Sequence, residues 1–221
     1  MKKSFIILLF FVLGRGYGQN LVPNYSFENY IDCPFTTSEI YKAIPWFAGM
    51  KDINGNLDCS SDYFNLCNNS INGYVGVPIF GPIGFQYPRT GNAFAGFHFW
   101  SPTWGREYIE VKLIQSLDSG AKYCVEFWIN NSGFAHWATD AFGLIFTKDS
   151  ILTLGGTPII LPPDIENPSS NIITDTLNWT KVSGTYLAMG GEQFITIENF
   201  LNDSVINKII FLLCQMIMII I

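Results

Sequence analysis

Only two histidines, His98 and His136, occur in 221 residues, and the five cysteines include no C-x-x-C pair. A structural zinc site draws on clustered His and Cys ligands at short spacings, so none is expected. The motifs G-x-S-x-G, H-E-x-x-H and G-x-x-x-x-G-K-[ST] are absent, which removes the common serine-hydrolase, metalloprotease and phosphate-loop readings. Carboxylates are numerous, but no spacing pairs two of them as a glycosidase acid and base. Lys and Arg total 12 against 18 Asp and Glu, a formal charge of −6 with no basic run. That balance argues against a nucleic-acid partner. Long runs of helical period and internal repeats are also missing.

What the chain has instead is Gly, Asn, Pro and aromatic residues, the composition of short strands joined by ordered turns. The stretch from Gly91 to Asn130 carries the clearest pattern. It reads G-N-A-F-A-G-F-H-F-W, then R-E-Y-I-E-V-K-L, then K-Y-C-V-E-F-W-I-N. In the second run Ile109, Val111 and Leu113 oppose Tyr108, Glu110 and Lys112. In the third, Tyr123, Val125, Phe127 and Ile129 oppose Lys122, Cys124, Glu126 and Trp128. A period of two with one apolar face predicts half-buried strands. The Ser119-Gly120 turn between the last two predicts a hairpin. The fold class expected is all-β, a β-sandwich centred on this block.

The first 18 residues read as a signal peptide: Lys2 and Lys3, an apolar run from Ser4 to Leu13, and Gly16-Tyr17-Gly18 before a cleavage point at Gln19. An N-terminal membrane anchor is the alternative, but the run is shorter than the ~20 residues a span needs. Removing Lys2, Lys3 and Arg15 takes the formal charge from −6 to −9. The remainder suits one domain, residues 19–204, followed by an apolar tail, 205–221.

Along the chain, Leu21 to Glu28 reads as the first strand, and Thr37 to Ala43 as a short helix ended by Pro45. Trp46-Phe47 should be buried. Lys51 to Gln86 is polar and irregular, with only Asp62 to Asn65 resembling a strand. Further strands are expected over Ala141–Phe146, Trp179–Leu187 and Phe194–Phe200, with a Gly190-Gly191 turn between the last two. Leu152 to Ser170 reads as loop. Export permits disulfides. Cys33 with Cys67 is the preferred bridge and Cys59 with Cys67 the alternative, while Cys124 reads as a small buried residue.

One ordered series then stands out: N-L-V-P-N-x-S-F-E, C-P, D-Y-F-N-x-C, G-F-Q-Y-P-R-T-G-N-A-F-A-G, R-E-Y-I-E-V-K-L, K-Y-C-V-E-F, N-P, I-T-D-T-x-N-W, S-G-T-Y and G-G-E-x-F-I-T-I-E-N-F. Over residues 20 to 203 this series resembles the N-terminal domain of secreted surface proteins of gliding-type bacteria that use type IX secretion. Such domains often precede OmpA-like or sorting domains. The resemblance implies a jelly-roll sandwich similar to galactose-binding-like and carbohydrate-binding modules, placed outside the cell or at its outer membrane. It also implies a structural calcium between an early carboxylate, which Glu28 matches, and a late Asp, which nothing here matches. The family's closing strand, a Tyr-rich run ending in Ile-Asp-Asp-Val, has no counterpart, so the sandwich is expected to lack its last strand.

The tail from Ile209 reads I-I-F-L-L-C-Q-M-I-M-I-I-I. It is short for a membrane span, so membrane anchoring is not expected, and long and unalternating for one strand. The reading preferred here is a slipped frame near Asn202–Lys208, since A/T-rich Ile and Met codons shifted by one base give Asn, Asp and Tyr.

For ligands, Trp100, Trp104, Trp128 and Trp137 lie in or beside the central strands, and an exposed indole can stack on a pyranose ring. Packing the sandwich is the commoner role for each taken singly. Arg89, Arg106, Glu107 and Glu110 could hydrogen-bond sugar hydroxyls, or lie on a solvated face. The ligand set expected is Trp104, Trp137, Trp100, Arg89 and Arg106. The function expected is a non-catalytic binding module for a polysaccharide or an envelope component. A structural envelope domain with protein partners is the alternative, and a polysaccharide hydrolase the less favoured one.

Overall fold

The computed structural model describes residues 18–51, 54, 60–68, 73–78, 84–100, 105–132, 135, 137–154, 157–210 and 217–220. Among the described residues there are one 3-10 turn, Ile40–Lys42, and thirteen strands. In order they are β1 (Met50–Lys51), β2 (Asp62–Asn65), β3 (Ala93–Phe97), β4 (Ile109–Lys112), β5 (Lys122–Asn131), β6 (Trp137–Thr139) and β7 (Gly143–Thr147). Then come β8 (Thr153–Leu154), β9 (Ile165–Glu166), β10 (Thr180–Leu187), β11 (Phe194–Glu198), β12 (Lys208–Ile210) and β13 (Ile217–Ile220). One antiparallel sheet has the order β10-β5-β13-β3-β2 and a second the order β4-β11-β7-β9. Two ribbons, β1-β8 and β6-β12, flank them. The expected all-β sandwich is what forms.

The core lies between the two sheets. Tyr63, Ala93, Ala95, Phe97, Phe127, Ile129 and Val182 come from the first; Ile109, Val111, Leu144, Ile195 and Ile197 come from the second. Each buried Phe contributes about 1.5–3 kcal/mol relative to exposure. Along β5 the alternation holds: Phe127 and Ile129 are buried, Tyr123 and Val125 pack beside them, and Lys122, Cys124 and Glu126 are exposed. Cys124 is therefore not buried as expected, because it shares the outward face of its own charged neighbours.

The expected β4–β5 hairpin does not form. Leu113 N–H donates to the Gln193 carbonyl at 2.7 Å and Leu117 N–H to the Glu192 carbonyl at 2.9 Å, so the chain stays on β11 beyond the end of β4. It then crosses to the other sheet, where the Ala121 carbonyl accepts from Ala188 N–H at 2.9 Å and β5 pairs β10. Glu192 locks this corner, accepting from the Tyr186 hydroxyl (2.7 Å) and the N–H groups of Met189 (2.7 Å) and Gly190 (2.8 Å). Gly190, at φ +100, is required there because a Cβ would stand 2.7 Å from that of Ser119.

Leu21 to Glu28 is turn rather than strand. Phe27 N–H closes on the Asn24 carbonyl at 3.0 Å, and both residues have positive φ. The expected helix is reduced to its one 3-10 turn, with no side-chain cap at Glu39. Trp46 is buried and Phe47 half-buried.

The expectation of a missing last strand is corrected. β13 occupies the middle of the five-stranded sheet, antiparallel to β3 and to β5, with Ile219 opposite both Ala95 and Ile129. Residues 1–17, Cys59, residues 211–216 with Cys214, and Ile221 fall outside the described residues.

Candidate functional site

At one end of the sandwich β3 runs out and the chain continues through His98, Phe99 and Trp100. The Trp100 ring stands 5.1 Å from that of Trp137, edge to face at 76°. Trp137 opens β6, whose partner β12 brings Lys208, Ile209 and Ile210 opposite Thr139, Ala138 and Trp137. Lys208 Nζ lies 4.1 Å from the centre of the Trp100 ring. Both indoles are half-buried. Two expected ligand residues, more than thirty positions apart, thus form one pair with a cation above it.

Polar contacts hold the segments that carry this pair. Phe99 packs on Phe142 at 5.0 Å, and its carbonyl accepts from Asn199 Nδ2 at 3.2 Å. Arg106 donates to the Asn199 carbonyl at 2.6 Å and also pairs with Asp203. Asp140 accepts from Asn207 N–H (3.1 Å) and Nδ2 (2.6 Å). At 4 % exposure Arg106 is buried, neither on a solvated face nor at the surface where a sugar would meet it. Trp104 and His136 lie outside the described residues.

Arg89 is elsewhere. Its guanidinium carbon sits 3.4 Å from the centre of the Trp128 ring, on the outer face of the five-stranded sheet. Lys181 lies 6.0 Å from that ring and pairs with Glu126 at 3.1 Å.

Glu28 serves as a brace. Its two oxygens accept from Asn92 N–H at 2.7 Å and Asn92 Nδ2 at 3.1 Å, tying the N-terminal turns to the start of β3. Among the described residues no three His, Cys, Asp or Glu side chains gather as a cation site. The residues present do not fit the calcium that the resemblance implies. Beside Glu28 runs a shallow groove of about 560 Å³ between Pro23, Asn29, Tyr30, Ile44 and Pro45. Cys33 and Cys67 are bonded, with Cα atoms 5.9 Å apart.

Among the buried carboxylates are Glu198 and Asp62, which no sequence pattern marks as such, and Glu110, expected on a polar or sugar-binding face. Glu110 is fully buried. Its Oε2 accepts from the Thr196 hydroxyl at 3.0 Å and Ile151 N–H at 3.1 Å, and burial raises its carboxyl above the ordinary range. Glu198, 1 % exposed, is raised well above it by burial, with the Arg106 charge opposing. Both stand on the outer face of the four-stranded sheet beside Tyr108, Ile145, Ile159 and Phe200. The tyrosine hydroxyl, pushed up to about 12 by burial, donates to the Gly49 carbonyl. Asp62, on β2, is pushed up to about 7 by burial, although it accepts from Ser38 N–H. Burial likewise lowers His98. Alternation placed Glu110 on a polar face. Phe47, Gly49, Ile151, Thr153 and Ile159, remote in sequence, cover that face.

No known protein family matches this chain, and no curated protein matches it. Among solved structures, it is similar to the K1 cleaved adhesin domain of Lys-gingipain from Porphyromonas gingivalis W83, at 14% identity and TM-score 0.37, over 88% of this chain and 92% of that one. It is also similar to an arabinose-bound MgGH51 α-L-arabinofuranosidase, at 15% identity and TM-score 0.41, over 90% of this chain but 25% of the enzyme. At these scores neither likeness bears on function, and among the described residues no helix is long and apolar enough to cross a membrane.

Proposed function

We propose that this chain is a non-catalytic binding module, exported to the cell surface or medium, whose ligand is a glycan. The observation that supports this is the half-buried Trp100–Trp137 pair with Lys208 over it. Flat indole surface binds the C–H face of a sugar, and a nearby ammonium binds its hydroxyl rim. The Arg106–Asn199 and Asp140–Asn207 contacts hold the segments next to Trp100 and Lys208, which lessens the ordering required on binding. The ordered motif series and the leader-like N-terminus favour the same reading.

The test is a glycan array followed by affinity electrophoresis of the mature chain. Retention on at least one polysaccharide, lost in Trp100→Ala and Trp137→Ala, is the expected result. Binding unchanged in both variants, or none on the array, would exclude this site. Capture of an envelope protein through the same pair would favour the protein-partner alternative.

A further inference from the structure

We infer a second binding site, for the carboxylate groups of an acidic polysaccharide, at Arg89 on the outer face of the five-stranded sheet. At 3.4 Å from the ring centre, the guanidinium is in van der Waals contact with the Trp128 indole. A planar cation at that distance lies flat, which fixes its plane and leaves its N–H donors directed outward along its edges. Among the described residues those donors meet no acceptor, and the four ion pairs present involve Lys42, Arg106 and Lys181 but not Arg89. A held fork of unused donors is matched by a carboxylate taking two parallel hydrogen bonds.

The surroundings favour a sugar acid as the bearer of that carboxylate. Lys181 stands opposite Trp128 on β10 and adds a second positive charge, partly offset by Glu126. Two residues before Arg89, Tyr87 is 61% exposed and meets Phe85 edge to face at 5.3 Å. The Tyr87 carbonyl accepts from Trp179 Nε1 at 3.0 Å, which pins this segment to the sheet. Exposed rings two and four residues before a fixed guanidinium put an apolar plane and an anion receptor in one segment, the two features a uronate ring uses. In a chain of charge −6, a locally cationic patch of this kind stands against the general field.

The site is separate from the Trp100–Trp137 pair, and the experiment keeps the two apart. Oligogalacturonate and its methyl ester are titrated into the full chain, followed by tryptophan fluorescence and calorimetry at low and high salt. Wild type should bind the acid and not the ester, more weakly at high salt. Arg89→Lys should lose about tenfold in affinity and Arg89→Met all binding. Trp137→Ala should bind the acid as wild type does. Arg89 is exposed, so its variants should melt as wild type does, and a melt checks this. Equal binding of acid and ester, no binding of either, or an unaltered Arg89→Met would overturn the proposal, whatever the fate of the Trp100–Trp137 pair.

Discussion

The carboxylate of Glu28 fills the space that a side chain at Gly91 would need: a Cβ there would lie 2.2 Å from Oε1. Gly91 also has φ +64, a conformation that other residues adopt at a cost. Gly91→Ala should therefore destabilise the fold by about 1–3 kcal/mol in urea titration. Adding Glu28→Ala should recover the steric part and leave the backbone part. If the double variant simply sums the two single losses, the residues do not compete for this space.

Asp62 makes stability depend on pH. Its folded value of about 7 lies above the ordinary 3.8, so its favourable contribution is complete below about 3.8 and is lost as pH rises through 7. Asparagine keeps an oxygen for Ser38 N–H without the charge. Asp62→Asn should raise Tm over wild type at pH 8, with the gain shrinking toward pH 4. A gain independent of pH would show that charge burial is not the cause.

Arg106 is held in the interior by the Asn199 carbonyl and by Asp203. Arg106→Met should cost about 1–3 kcal/mol, since it leaves the buried Asn199 carbonyl without its donor. Arg106→Lys, which keeps a donor and a charge, should recover part of the loss, as read by equilibrium denaturation. Equal losses in the two variants would assign the cost to packing instead.

The Cys33–Cys67 bond closes a 34-residue separation. By loop entropy alone it stabilises by about 4 kcal/mol. Reduction should lower Tm, and Cys33→Ser should reproduce the effect. Equal melts with and without reductant would show that the loop is already ordered in the unfolded chain.

The strands that could be read from the sequence are those whose pattern depends on one face only. β5 alternates because its outward face meets water, and β10 and β11 fall where turn residues bracket them. The crossover after β4 could not be read, because Ser119-Gly120 looks the same in a hairpin as in a corner locked by Glu192, more than seventy residues away. Glu110 and Tyr108 looked solvated because the cover over their face is remote in sequence. The tryptophans were visible as candidates, but their grouping was not. Trp100 meets Trp137 only through the fold, and Arg106 is buried against the Asn199 carbonyl.

The position of β13 has a consequence for the order of events when the protein is made. Its partners, β3 and β5, are synthesised long before it and do not pair with each other. While the ribosome is still adding residues 132 to 216, each presents a bare row of amide and carbonyl groups, the kind of edge to which stray strands attach. The five-stranded sheet can close only once Ile217–Ile220 is available, so β3 and β5 both wait on a strand that follows them by more than eighty residues.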